Sequence, residues 1–133
     1  MTDDNQSQNL KALLEKLAPE AFCYVTTTGR VTGKPHKIEI WFGLNGGTLY
    51  LLSGGLDQSD WVKNMLKNPS VTVRIAKHTF QATTRVVTDA KEESMARYLL
   101  AEKYQEWEDG KGLSEWARTA LPMAIDILQE NNP

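Results

Sequence analysis

Leu10, Leu13, Leu14 and Leu17 recur at helical spacing, with Lys11, Glu15 and Lys16 off the stripe. Residues 8–18 therefore predict an amphipathic helix that stops near Pro19. From Ala21 the period changes. The run AFCYVTTT, residues 21–28, is aromatic and β-branched and predicts a strand. Residues 36–44 alternate, with His36, Ile38, Ile40 and Phe42 on one face and Lys37, Glu39 and Trp41 on the other, as a half-buried strand does. Asn45-Gly46-Gly47 tolerates positive φ, so Thr48–Ser53 is expected to return as a hairpin partner, followed by a GGLDQ loop.

Ser59 stands where a cap would open a short helix over residues 60–67, with Trp61, Met65 and Val62 turned inward and Asn68-Pro69 ending it. Val71, Val73 and Ile75 alternate with polar residues, and a tip at Lys77-His78 leads into a long strand through Val87. Asp89, with Glu92 three residues on, predicts the start of a helix running to about Glu106. Ser114 opens another short helix, and the apolar run Met123–Leu128 closes the sheet. The order is helix, three strands, helix, two strands, helix, last strand. Short hairpin loops and the absence of βαβ alternation point to an antiparallel barrel with peripheral helices, a mainly β, α+β fold.

At 133 residues the chain suits one domain with one core. Its parts are an N-terminal helix (1–20), a strand block (21–88), and C-terminal helices with a last strand (89–133). A net charge of −2 gives no global basic field, so no nucleic-acid partner is expected. No stretch reaches the roughly 20 apolar residues of a membrane-crossing helix. The acidic start (Asp3, Asp4) has no apolar leader run behind it, and a cytoplasmic location is expected. The single cysteine, Cys23, lies in an apolar run and reads as a buried, inert thiol.

Two histidines and one cysteine, none paired at ligand spacing, predict no metal site, and no nucleophile elbow or phosphate loop is present. No catalytic side chain is identified, so any reactive group is expected to belong to a bound cofactor. Three stretches are candidates. TTTGRVTGKPHK, residues 26–37, holds Arg30, Lys34 and Lys37 with two glycines and no acid, which suits an anion and equally suits a solvated hairpin turn. LYLLSGG, residues 49–55, ends a strand in a hydroxyl and two glycines, where a flat ring could approach the backbone or the strand simply stops. SDWVKN, residues 59–64, puts an aromatic and a cation near a helix N-terminus, or only a core tryptophan on an ordinary helix.

Together and in this order, the three stretches resemble those of the deazaflavin-dependent nitroreductase/quinone reductase family. TTTGRVTGKPH is similar to its T-T-G-R-x-[ST]-G-x-P-[RH] segment, LNGGTLYLLSGG to a hairpin-strand-S-x-G segment, and DWVKNMLKNPSVTVRI to W-x-x-N-L-x-x-N-P-x-V-x-V. The likeness spans about Cys23 to Val87, roughly half the chain. It implies a split β-barrel, FMN-binding-like fold that binds coenzyme F420, a deazaflavin with a phosphate and an oligoglutamate tail; FMN is the alternative cofactor. It further implies cofactor contacts from Arg30, Val31, Thr32, Gly33, Lys34, His36, Lys37, Ile38, Glu39, Ile40 and Trp41, from Leu51, Leu52, Ser53 and Gly54, and from Asp60, Trp61, Val62, Lys63 and Asn64. Trp41 and Trp61 are expected to wall the ring. Val31, His36 and Gly54 stand where the family often carries cations. Tyr104 is the nearest equivalent, by order alone, of a tyrosine that some members place near the substrate.

The activity so implied is hydride transfer from reduced deazaflavin to a quinone, nitro compound or similar electron-poor acceptor, by a homodimer. The rival readings are an FMN-binding split-barrel reductase, a non-catalytic module that sequesters a cofactor or acidic lipid, and, last, a nucleic-acid-binding barrel.

Overall fold

The computed structural model describes residues 2–108 and 110–131. Helix α1 (Thr2–Leu17) leads into strand β1 (Cys23–Thr28), then β2 (Pro35–Ile40), β3 (Gly43–Asn45) and β4 (Thr48–Ser53). A 3-10 turn (Leu56–Gln58) and α2 (Asp60–Lys67) precede the hairpin of β5 (Ser70–Ile75) and β6 (His78–Val86). Helices α3 (Ala90–Tyr104) and α4 (Glu115–Thr119) and the long β7 (Leu121–Glu130) complete the chain.

The seven strands form one sheet in the order β2-β1-β5-β6-β7-β4-β3, every pair antiparallel. Its two edge strands, β2 and β3, are consecutive in sequence and joined only by Trp41-Phe42. Laid flat, seven strands would hold their edges about 28 Å apart, yet the Cα atoms of Ile40 and Gly43 can lie no more than about 11 Å apart. The sheet must therefore curl until its edges nearly meet, which makes it a split barrel. A register shift at Gln81/Ala82 adds local bending where β6 pairs with β7.

Residues 36–44 are not a single strand, because the chain leaves one sheet edge at Ile40 and joins the other at Gly43. Alternation survives the break, since Ile38 and Ile40 pack on the interior core and Phe42 is buried in it, while His36 stays exposed. Exposing Phe42 to water would cost about 1.5–3 kcal/mol, which holds the crossover in place.

The sheet carries two cores, both fed by alternate residues of β4 and β7. The interior core takes Cys23, Val25, Leu49, Leu51, Val73, Phe80 and Ile125, and α1 covers it with Leu14 and Leu17. Tyr50, Leu52 and Ala124 face the other way and pack under α3 and α4 against Ala96, Leu100 and Ala120. β4 is thus buried on both faces, as its unbroken apolar run requires. Gly43 lets α3 lie directly on β3, because a Cβ there would come within 2.7 Å of Leu99 Cδ2.

Caps divide. Asp89 accepts from the Glu92 amide at 2.8 Å and Ser114 from the Ala117 amide at 3.1 Å, as expected. Ser59 occupies the cap position of α2 with extended backbone, but its hydroxyl makes no capping bond. Cys23 is buried, and burial pushes its thiol up to about 12.

Candidate functional site

Gly29 to Lys34 connect β1 to β2. The Gly29 amide donates to the Lys34 carbonyl at 2.8 Å, the Gly33 amide to the Gly29 carbonyl at 2.9 Å, and the Lys34 amide to Thr32 Oγ1 at 3.2 Å. Gly33 has φ +76°, and a Cβ on Gly29 would sit 2.6 Å from His36 Nε2. Both glycines are therefore required by the turn. Among the described residues, the Val31 and Thr32 amides pair with no acceptor, leaving two adjacent donors at the tip.

Asn64 of α2 fastens this turn to the helix. Its Oδ1 accepts from the Arg30 amide at 3.1 Å and from Arg30 Nη1 at 2.9 Å, while Nδ2 donates to Thr27 Oγ1 at 3.1 Å. Arg30 Nη2 also donates to Asp60 Oδ1 at 3.2 Å. Gly29, Arg30, Val31, Thr32, His36, Asp60 and Asn64 together line a hollow of about 220 Å³. Of the cations singled out in the sequence, only Arg30 lines it. Lys37 leans over the Tyr24 ring at 5.5 Å, Lys34 is exposed on the turn, and Lys63 is half-buried on α2.

Ser53 ends β4 and is 2% exposed. Its hydroxyl donates to the Leu56 carbonyl at 2.8 Å and meets Ser59 Oγ at 2.8 Å, so the Ser59 side chain is turned toward the end of β4. The end of β4 is thus bonded to the start of α2, and α2 is bonded through Asn64 to the turn. All three stretches from the sequence are joined through one short helix.

A second cavity, of about 360 Å³, lies beyond the other end of β2 and is lined by Phe22, Glu39, Ile40, Trp41, Leu52, Gln105 and Trp116. The Trp41 indole is stacked on Tyr104 (4.4 Å between ring centres, 2° between planes) and meets Trp116 edge-on at 5.6 Å. The exposed Gly54 lies beside Trp116, whose Cδ1 would be 3.7 Å from a Cβ placed there. Nearby, Lys103 Nζ donates to the Phe42 carbonyl at 3.0 Å. Burial brings that ammonium down to about 8.

The structure sorts the expected contacts. Arg30, Val31, Thr32, His36, Asp60 and Asn64 share the first hollow; Glu39, Ile40, Trp41 and Leu52 share the second; β2 runs between the two. Leu51, Val62 and Trp61 turn their side chains into or against the interior core, so Trp61 walls neither hollow. Ile38 also packs on that core. Phe22, Gln105 and Trp116 were not anticipated. They come from the segment before β1, the end of α3, and α4, which no sequence spacing connects.

The sequence pattern of the F420H2-dependent quinone reductase family matches residues 4–125. Among solved structures, the chain is similar to a FAD-binding protein from Mesorhizobium loti (TM-score 0.63, 15% identity, 88% of each chain covered). It is also similar to an F420-H2 dependent reductase (TM-score 0.59, 19% identity, 80% of this chain and 93% of that one). A third is HutZ, a heme storage protein from Vibrio cholerae (TM-score 0.66, 17% identity, 92% of each chain). These likenesses establish the split-barrel, FMN-binding-like fold. Since they carry names for three different ligands, the fold alone does not choose among them.

Proposed function

Because the chain belongs to the F420H2-dependent quinone reductase family, we propose that it passes hydride from reduced coenzyme F420 to a quinone, a nitro compound or a similar electron-poor acceptor. The protein is a deazaflavin-dependent reductase, and its residues fit that cofactor. A negatively charged tail needs a fixed cation with free donors, which Arg30 and the Val31 and Thr32 amides supply. A flat ring needs apolar and aromatic walls, which Phe22, Ile40, Leu52, Trp41 and Trp116 supply.

The observation that carries this reading is the pair of hollows at the two ends of β2, one built around Arg30 with its exposed partner Asp60 and one aromatic. Asp60 occupies one edge of the Arg30 guanidinium, but its side chain is 87% exposed. Such a surface pair contributes at most about 1 kcal/mol, whereas a charge-assisted bond to phosphate contributes about 1.5–3 kcal/mol. An anionic tail therefore displaces Asp60 at small cost. Asn64 keeps the Arg30 backbone in place during the exchange. Held by the turn and the residues of the aromatic cavity, coenzyme F420 would supply the hydride. Trp41 and Trp116 exclude water from the transfer and align the acceptor's plane. The homodimer implied by the family resemblance is part of the proposal, checked by analytical ultracentrifugation.

Fluorescence titration of the purified protein with coenzyme F420 and with FMN tests the reading, followed by turnover on a quinone and a nitro-compound panel. Tight F420 binding is expected, and Arg30→Met should weaken it about tenfold. Preference for FMN, or binding without turnover on any acceptor, overturns it.

A further inference from the structure

We propose that Tyr104 is a positioning residue, holding the Trp41 indole as a fixed wall of the aromatic cavity and thereby setting how tightly a flat acceptor fits. The inference rests on the reading that redox partners enter that cavity. Trp41 is one of only two residues linking the edges of the sheet, and it is 46% exposed. At the crossover Trp41 belongs to no strand and has no ladder partner beside it. Tyr104 provides the missing restraint. Its ring lies within 2° of parallel to the indole, with ring centres 4.4 Å apart, and Trp116 meets the indole edge-on.

The tyrosine is itself fixed by its hydroxyl. Its proton is shared between the carbonyls of Ala21 (2.9 Å) and Phe42 (3.0 Å), and its oxygen accepts the Phe42 amide at 3.0 Å. These groups belong to the approach to β1 and to the crossover, so one hydroxyl ties the end of α3 to both. The neighbouring Lys103 adds a second donor to the Phe42 carbonyl and lies 3.6 Å from the Phe42 ring centre. With its hydroxyl committed to backbone groups, and absent from the residues lining the cavity, Tyr104 has no free proton to offer an acceptor. Its role runs through Trp41.

The test compares full-length wild type, Tyr104→Phe, Tyr104→Leu and Trp41→Phe. Near-ultraviolet circular dichroism of the cofactor-free protein identifies the Trp41 band as the one missing in Trp41→Phe. Tyr104→Leu should lose that band and raise the KM for menadione about tenfold with a smaller change in kcat. Tyr104→Phe keeps the ring but frees the seam, and should show a reduced band and an intermediate KM. Should Tyr104→Leu fail to fold, Tyr104→Phe alone decides. A wild-type band and KM in the variant that folds overturn the proposal. So does an equal KM rise in Val71→Ala, a core substitution remote from the cavity, at matched loss of melting temperature. The spectral arm needs neither cofactor nor acceptor, so its failure counts against Tyr104 alone, while a wild type without turnover counts against the functional reading.

Discussion

Asn64 makes three hydrogen bonds through a side chain that is 3% exposed, and two of them hold Arg30. An amide fits because the site asks for an acceptor toward Arg30 and a donor toward Thr27 at once. Asn64→Leu strands the Arg30 amide and should lower stability by about 1–3 kcal/mol, read by urea unfolding. It should also weaken F420 binding in the same fluorescence titration, by releasing the guanidinium. Asn64→Asp keeps an acceptor for Arg30 but adds a carboxylate charge there, so it should cost less stability than Asn64→Leu while still weakening binding of the anionic tail. The identity of Asn64 as a candidate contact was legible in the motif. Its structural service was not, because Thr27 and Arg30 become its neighbours only when α2 packs beside β1.

At the scale of elements, an ionic cluster on the outer side of the sheet fixes the start of α3 to β4, β6 and β7. Arg85 makes two 2.7 Å bonds to Glu92 and one of 2.8 Å to Asp126; Tyr50 donates to Glu92 at 2.6 Å, and Thr48 to Asp126 at 2.8 Å. Glu92 was expected to complete the capping of α3, but its carboxylate goes to Arg85 instead, since a charged partner is the stronger one. The Arg85 guanidinium, with help from the Tyr50 hydroxyl, brings Glu92 from an ordinary 4.5 down to about 2, and Arg85 lowers Asp126 too. A carboxylate depressed in the folded state stabilises it above the unfolded value, and that stabilisation is lost as pH falls from 4.5 toward about 2. Wild type should therefore lose stability through this window. In Glu92→Gln the slope should be markedly shallower, and melting temperatures at pH 2.5, 3.5, 4.5 and 7 check it. An unchanged slope would show that the cluster is not coupled to folding.

For the whole molecule, the decisive constraint is the Trp41-Phe42 crossover. Lengthening a loop costs little entropy, about 0.6 kcal/mol per doubling. Inserting two glycines between Ile40 and Trp41 should thus lower the melting temperature only slightly while letting the sheet edges part. Hydrogen exchange should quicken in β2 and β3, and quinone turnover should fall about tenfold or more. F420 tail binding, set by the turn and α2, should change far less. A uniform loss of stability across all strands would contradict the tether.

The order of periodicities determined most of the elements by itself. Strand alternation, the glycine-bearing turns and the Asp89 and Ser114 caps are local physics, decided between near neighbours in the chain. The grouping of the turn with α2 and the end of β4 was implied only by the resemblance of the motif order, since Arg30 and Thr27 meet Asn64 through long-range packing. Tertiary structure decided the rest: that residues 36–44 divide between opposite sheet edges, that Lys34, Lys37 and Lys63 stay outside the cationic hollow, and that Phe22, Gln105 and Trp116 complete an aromatic one. The physical reason is closure. A seven-stranded sheet whose edges are tied by two residues brings together side chains with no fixed spacing in sequence, and only the curl of the sheet determines which of them meet.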